Sequence, residues 1–371
     1  IYDTRSGKSY KGEPTTNLQA SGSAGVHASS TGNAVSVTDA SAEKGPGWKK
    51  VTITARGTNF RTLQFTYTSM AANTMYCHSA VFDWGNMKDK GYLIYFDGNG
   101  TGTRAYYRPG DYVNTGSGSI NSTMPDGKFA GTITHTSSHS HAFFIRNYST
   151  GVSGLNDFFY YKDYQVEINS HPTQFTAGTR STTQGLLDLT KNETITLSNM
   201  SYDSNAQMSF DGTDDQFLIS NPGVGTSFSI EVVIKVDSYS NGPIFVSPNS
   251  VGIDHFFRVN SNGTIRANFV EVPDTASDGY TSTTVLNTGE YYHVVISKTP
   301  SNGTIYVNGV AEDSHTPTLA AAAWSGDWRI GARWNNTYNL NGELPILKVY
   351  DRDLAPAEVL QNYNAFKSRF L

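Results

Sequence analysis

Apolar residues in this chain recur at every second position over short runs, and turn residues close each run. Val51-Thr52-Ile53-Thr54-Ala55, Leu63-Gln64-Phe65-Thr66-Tyr67 and Gly131-Thr132-Ile133-Thr134-His135 all alternate in this way. Successive strand side chains point to opposite faces, so each run buries one face and wets the other. Similar short runs include Gly91–Phe96, Ala142–Arg146, Phe158–Tyr161 and Tyr164–Ile168. They continue through Met208–Phe210, Gln216–Ile219, Ser227–Ile234, Gly242–Val246, His255–Val259, Thr264–Phe269, Tyr291–Ile296 and Gly303–Val307. Asn308-Gly309 favours a type I′ hairpin turn, because both residues tolerate positive φ. A helical period appears only in Leu354–Phe370, where Val359, Leu360, Tyr363, Phe366 and Phe370 share a face. The spacing therefore predicts antiparallel sandwiches with one short terminal helix.

Composition agrees and narrows the function classes. Only 16% of the 371 residues are charged and 12% are aromatic, against roughly 25% charged in ordinary soluble proteins. Helix bundles, coiled coils and doubly wound nucleotide-binding sheets do not fit. The net charge is −5, and no cationic run exceeds Lys49-Lys50, which argues against nucleic-acid binding. No apolar run approaches the ~20 residues of a membrane span, so no membrane insertion is expected. The first residues lack a signal-peptide pattern, although Ile at position 1 leaves a longer or processed product open. The one cysteine, Cys77, sits among apolar and aromatic neighbours and reads as a buried free thiol.

Length suggests two domains. Residues 1–45 read as a polar N-terminal arm carrying one or two strands. Residues 46–170 read as a first sandwich, 171–185 as a linker, and 186–371 as a second sandwich.

The second half resembles the concanavalin A-like, laminin G-like jelly-roll family, and four pieces carry the resemblance in the family's order. They are Met208-Ser-Phe210-Asp211-Gly212-Thr213-Asp214-Asp215, Phe228-Ser-Ile230-Glu231-Val-Val-Ile-Lys235, Tyr291-Tyr-His293-Val-Val-Ile296 with Ile305-Tyr-Val307-Asn308-Gly309, and Arg329-Ile-Gly331 through Leu347-Lys-Val349-Tyr350-Asp351-Arg352-Asp-Leu354-Ala-Pro356-Ala-Glu358. The closing stretch Tyr350–Asn364 is similar to such domains in virion proteins of tailed bacteriophages. The family usually has Ser or Thr before that Pro as part of a capping box. Ala355 stands there instead, and Asp353 is the substitute cap expected one turn earlier. The first half is similar, less specifically, to carbohydrate-binding-module-like jelly rolls, through Phe158-Phe-Tyr-Tyr-Lys-Asp163-Tyr-Gln-Val166-Glu167. The resemblances imply an all-β chain of two tandem antiparallel jelly-roll β-sandwiches, with an extended N-terminal arm and a short C-terminal helix.

A jelly roll can be a glucanase, and retaining glucanases need two carboxylates about 5–5.5 Å apart. On a strand that means acids two residues apart. Glu167-Ile-Asn169-Ser-His171 and Glu231-Val-Val-Ile-Lys235 come nearest, and each lacks the second and third acid. The expectation is therefore no enzyme and no catalytic residue.

Aromatic faces stack on sugar rings, so Trp324, Trp328, Trp334 and Tyr338 are candidate glycan contacts. In this fold one or two of those rings should be core. Trp48, Tyr106, Tyr107 and Tyr112 are the analogous candidates in the first sandwich.

His135, His139 and His141 form the most metal-like cluster, with His139 and His141 two apart on one strand face; solvated histidines are the plainer account. Asp97-Gly-Asn99-Gly-Thr101-Gly102 spaces oxygens like a calcium loop, but its twelfth position is Arg108 and a Gly-rich turn explains it better. Asp211-Gly212-Thr213-Asp214-Asp215 could hold calcium at a sheet edge, with Asp211 and Asp214 as candidate ligands, and a tight turn between strands serves equally well. No other cofactor is expected.

The reading that follows is a non-enzymatic virion structural protein of a tailed phage: a fibre, appendage or decoration subunit. Its expected partners are other virion proteins, further copies in a homo-oligomer, and a host-surface glycan. Its place is the virion, and the alternative is a secreted bacterial carbohydrate-binding or adhesion protein at the cell surface.

Overall fold

The computed structural model describes residues 1–18, 26–27, 34–55, 61–88, 90, 92–97, 104–109, 122–124, 126–134, 139–147, 155–203, 207–240, 242–248, 254–269, 279–316, 324, 326–333 and 338–370. The chain is mostly β and divides into two units. One comprises Ile1–Pro14 with Ser181–Leu371, the other Thr15–Arg180.

The unit containing the C-terminus has two sheets. In the eight-stranded sheet the order is Ser201–Tyr202, Met208–Asp211, Asn341–Tyr350, Phe228–Ser238, Tyr291–Lys298, Gly303–Val307 and Val310–His315, with Tyr2–Asp3 also pairing onto Asn341–Tyr350. In the seven-stranded sheet it is Ile195–Ser198, Gln216–Ile219, Trp328–Ile330, Pro243–Pro248, Asp254–Val259, Thr264–Asn268 and Tyr280–Val285. The pairs in both sheets are antiparallel. Alternation decides what is inside. Ile230, Val232, Ile234 and Val236 enter one core cluster with Val294, Ile296, Phe257, Val259, Ile265 and Ala267. The intervening Val233 faces the other way and packs with Ile346 against Phe366 of the C-terminal helix Pro356–Phe370.

Two details fix the sheet ends. Asn308 and Gly309 have φ of 50° and 80°, the type I′ geometry their sequence favours. The last strand of each sheet is joined to the other through side chains. Thr281 N–H donates to Asp313 Oδ2 at 2.8 Å, and the N–H groups of Thr283 and Thr284 donate to Glu312 Oε2 at 2.8 and 2.9 Å. The two carboxylates take N–H groups that a further strand would otherwise pair with.

The helix start keeps half a capping box. Ala355 offers no side-chain acceptor, but Glu358 Oε2 accepts the Ala355 N–H at 2.9 Å. Arg352 grips the same carboxylate at 2.9 and 2.8 Å and, with that N–H, holds its pKa down to about 2. Among the described residues no helix-start N–H reaches Asp353, so the expected substitute cap is not formed.

The expected polar arm over residues 1–45 needs correction. Tyr2 is fully buried and Tyr10 nearly so, both in the core of the C-terminal unit. The Tyr2 hydroxyl donates to Leu344 O at 3.1 Å. Two aromatic anchors tie down a stretch whose average composition is polar. Ala34–Asp39 is an ordinary strand of the other unit.

That other unit has a five-stranded sheet, Gly127–Thr134, Met75–Asp83, Phe158–Glu167, Lys49–Ala55 and Ala34–Asp39. Its six-stranded sheet runs Ser122–Met124, Arg104–Pro109, Tyr92–Asp97, His139–Asn147, Arg61–Met70 and Val26–His27. One pair, Ser122–Met124 with Arg104–Pro109, is parallel. Phe82 stacks on Trp84 at 4.8 Å, and Val51, Ile53, Phe159 and Val166 pack in the same cluster. Cys77 is a buried free thiol; burial first, then the charge of Glu167, pushes its pKa up to about 12. A thiol held in that state is a poor nucleophile.

Candidate functional site

The structure sorts the aromatic candidates sharply. Trp328 is fully buried between the sheets, so, against the expectation of a sugar-stacking ring, its faces belong to the core. Trp324 is half-buried, stacked on Trp328 with centroids 4.7 Å apart and planes at 28°. Its ring also meets Phe228 and His255 at near right angles, at 5.2 and 4.5 Å. Tyr338 is 41% exposed. Trp334 lies outside the described residues.

In the other unit Trp48 is half-buried, with the Lys162 ammonium 5.3 Å from its ring centre. Tyr106 and Tyr107 sit on the Arg104–Pro109 strand, with side chains outside the description, and Tyr112 lies outside it altogether.

The other metal candidates fare differently. His139 and His141 belong to His139–Asn147, but the register shifts between them: His139 pairs with Met70 and His141 with Thr66. The regular alternation assumed for that pair is interrupted. His135 and residues 98–102 of the calcium-like loop lie outside the described residues.

Asp211 and Asp214 do come together, with Asp215 of the same stretch as a third carboxylate. One oxygen from each lies within 4.8 Å of the others. Turn chemistry engages them: Asp215 Oδ2 accepts the Asp211 N–H at 2.6 Å, and Asp211 Oδ1 accepts the Thr213 N–H at 2.7 Å. Asp214 accepts from Asn199 at 2.9 Å. Burial, aided by the charge of Asp211, pushes the Asp215 pKa up to about 6. The cluster is a sheet-edge turn with oxygen donors of the kind a hard cation takes.

Glu167 and Glu231, the strand acids nearest the glucanase pattern, are both fully buried and fully engaged. Glu167 accepts from Gln165, Thr15, and the N–H and hydroxyl of Thr173, all at 2.8–2.9 Å. Glu231 accepts from His293 at 2.7 Å and Tyr350 at 2.6 Å, and from Lys348 and Asn362 at 3.2 Å. Burial opposes its charge, but His293, Lys348 and Tyr350 together hold its pKa below the usual range. Neither carboxylate presents a free oxygen to a sugar.

One end of the C-terminal sandwich gathers a different set. Register carries Trp328 opposite Ile219, His255 opposite Ser247, and Tyr280 opposite Ala267. On the facing sheet Phe228 lies opposite Lys298 and Lys298 opposite Gly303. Phe228 meets Phe269 of the other sheet edge-on at 5.0 Å, so these strand ends coincide. His255 follows the inward period of Phe257 and Val259, and Lys298 that of Val294 and Ile296. Each is 1% exposed. Among the described residues neither His255 ring nitrogen has a hydrogen-bond partner, nor has Trp328 Nε1. The Lys298 ammonium donates to Thr299 O at 3.0 Å. Burial lowers the Lys298 pKa, and burial with the nearby Lys298 charge lowers that of His255 to about 4. Along the same end, an open cleft of about 310 Å³ is lined by Thr190, Asn192, Glu193, Pro222, Val349 and Asp351 among others.

Residues 211–360 match the family model described as the concanavalin A-like lectin/glucanases superfamily, of laminin G type. That segment is a concanavalin A-like jelly-roll domain, and it makes up most of the C-terminal unit. No curated protein sequence matches the chain. Among solved structures, the native heptameric SAP-like pentraxin of Limulus polyphemus is 19% identical with a TM-score of 0.32, over 41% of this chain and 78% of that one. The receptor-binding domain of botulinum neurotoxin C/D mosaic serotype is 12% identical with a TM-score of 0.39, over 50% of each chain. A Trypanosoma rangeli sialidase is 14% identical with a TM-score of 0.39, over 50% of this chain and 31% of that one. At this level of likeness none of the three speaks for the chemistry of this chain. Among the described residues, no helix is long and apolar enough to cross a membrane.

Proposed function

We propose that the chain is a non-enzymatic glycan-binding subunit, with its sugar contact at the aromatic end of the C-terminal sandwich. Trp324 carries this reading. It is an indole that reaches solvent while Trp328 and Phe228 fix its plane, and a ring already immobilised loses little entropy when a sugar stacks on it. The lectin-type family match of residues 211–360 supports the same class, and fold alone does not assign a ligand.

The setting we propose is the virion of a tailed phage, as a fibre, appendage or decoration subunit. It rests on the resemblance of the closing segment Tyr350–Asn364. A secreted bacterial adhesion protein is the competing setting.

Glycan-array binding by the intact chain tests the first part. Trp324→Ala is expected to cut retention at least tenfold, while Trp48→Ala in the other unit leaves it unchanged. Binding that survives Trp324→Ala sinks the assignment. Purified particles tested by mass spectrometry should contain the chain at fixed stoichiometry; recovery only as free secreted protein favours the adhesion setting.

A further inference from the structure

Two polar groups without a hydrogen-bond partner among the described residues pack against Trp324, and a third group, Lys298, pairs across the sheet with Phe228, whose ring also meets Trp324. His255 and Trp328 flank its ring, and neither His255 nitrogen nor Trp328 Nε1 is hydrogen-bonded. Lys298, inward-facing and 1% exposed, has among the described residues only the carbonyl of its own neighbour. An ammonium withdrawn from water without a counter-ion is costly, and so is a buried donor without an acceptor. Folding usually eliminates such groups unless something else uses them.

The carboxylates of the adjoining cleft do not supply the missing charge. Glu193 is committed to Ser220, and it follows Asn192 into the sheet's edge strand Ile195–Ser198. The neighbouring Gln216–Ile219 is itself three strands from the His255 strand, roughly 14 Å at ~4.8 Å per strand. Asp351 lies beyond Tyr350, which pairs with Ser229 on the opposite side of the Phe228–Ser238 strand from Lys298.

We infer that this end of the sandwich is a subsite for an acidic sugar, with Lys298, His255 and Trp328 Nε1 receiving its carboxylate while its ring lies against Trp324. The inference rests on the glycan-binding reading and names its ligand class. The donor set favours a carboxylate over a phosphate. One ammonium balances one negative charge, and a neutral imidazole and an indole add one N–H each, which suits two planar oxygens. A phosphate near neutral pH carries up to a second charge that no described cation here would meet. A neutral sugar would leave Lys298 uncompensated.

Calorimetric titration of the intact chain with trigalacturonic acid and with its methyl ester decides the matter. Trigalacturonate is expected to bind at least tenfold more tightly than the ester, and Lys298→Met is expected to remove that preference. Sodium acetate and sulfate at the same concentration should not displace it; displacement by either makes this a general anion site and overturns the sugar assignment. Equal affinity for acid and ester in the unaltered chain overturns the inference without any variant having to fold. If the ester binds and Trp324→Ala abolishes that binding, the glycan reading stands while this inference falls. If neither compound binds, the acidic-sugar assignment falls, and the wider array decides the glycan reading separately.

Discussion

Beneath the C-terminal helix, Glu231 is buried together with His293, Tyr350, Lys348 and Asn362, all within hydrogen-bond or ion-pair distance. At the aromatic end of the same sandwich, among the described residues, Lys298 is buried with a single carbonyl and His255 with no hydrogen-bond partner. The two sites share the Phe228–Ser238 and Tyr291–Lys298 strands, yet the Glu231 carboxylate is met from within the chain, with His293 Nδ1 the atom left unpartnered there, while the Lys298 ammonium has no counter-charge among the described residues. The first is what a fold does to dock a helix on a sheet. The second is costly to folding and makes sense where a ligand supplies the remainder.

The largest effect should come from breaking the satisfied site. Glu231→Ala strands a buried imidazole, a hydroxyl and an ammonium together, and removing one partner of a buried pair typically costs about 3–5 kcal/mol. The urea midpoint of the C-terminal unit should fall accordingly; a loss under about 1 kcal/mol would show that the network is ornamental.

Next come two groups whose titrations oppose each other. The folded pKa of His255 is lowered from 6.5 to about 4, so its contribution is present above pH 6.5 and lost as pH falls toward 4. The folded pKa of Asp215 is raised from 3.8 to about 6, so its contribution is present below pH 3.8 and lost as pH rises through 6. Each shift of about two units corresponds to roughly 3 kcal/mol. In the intact protein these slopes largely cancel between pH 4 and 6.5. Thermal melts of His255→Gln should therefore show stability falling as pH rises across that window, and those of Asp215→Asn should show it rising. Parallel profiles for the two variants would refute the assignment.

A smaller effect, of opposite sign to the first, is expected at the unsatisfied site. Lys298→Met replaces an uncompensated buried ammonium with an apolar chain of similar length and should stabilise the unit by about 1 kcal/mol or more. Destabilisation by that amount would mean that Lys298 serves the fold after all. The smallest prediction concerns the helix that covers Glu231. Ala355→Ser restores the missing half of the capping box and should raise the melting point by the equivalent of about 1 kcal/mol.

Much of this was readable along the chain, because alternation is local. Val51–Ala55, Phe158–Tyr161 and Asn308-Gly309 announce their strands and turn within five residues, and the same period places His255 with Phe257 and Val259, and Lys298 with Ile296. That period marks the buried end as plainly as the tryptophans mark its surface. Glu231 has no acid two or four residues further along its strand, and its partners His293 and Tyr350 lie 62 and 119 residues away and meet it only through sheet register. Asp215 belonged to a recognised motif, yet its burial depends on the sandwich around it. Tyr2 was lost in a polar average, although one aromatic ring in the right register outweighs the composition of its neighbours.

The pairing of Tyr2–Asp3 with Ile346 and Leu347 also has a consequence in time. The Tyr2 hydroxyl and the Leu344 carbonyl it meets are 342 residues apart, which at ribosomal speeds of about 5–20 residues per second is a wait of roughly 17–70 s. Residues 15–180 emerge whole during that interval and can fold first. The C-terminal sandwich closes later, when the strand Asn341–Tyr350 reaches Tyr2–Asp3, made 342 residues earlier.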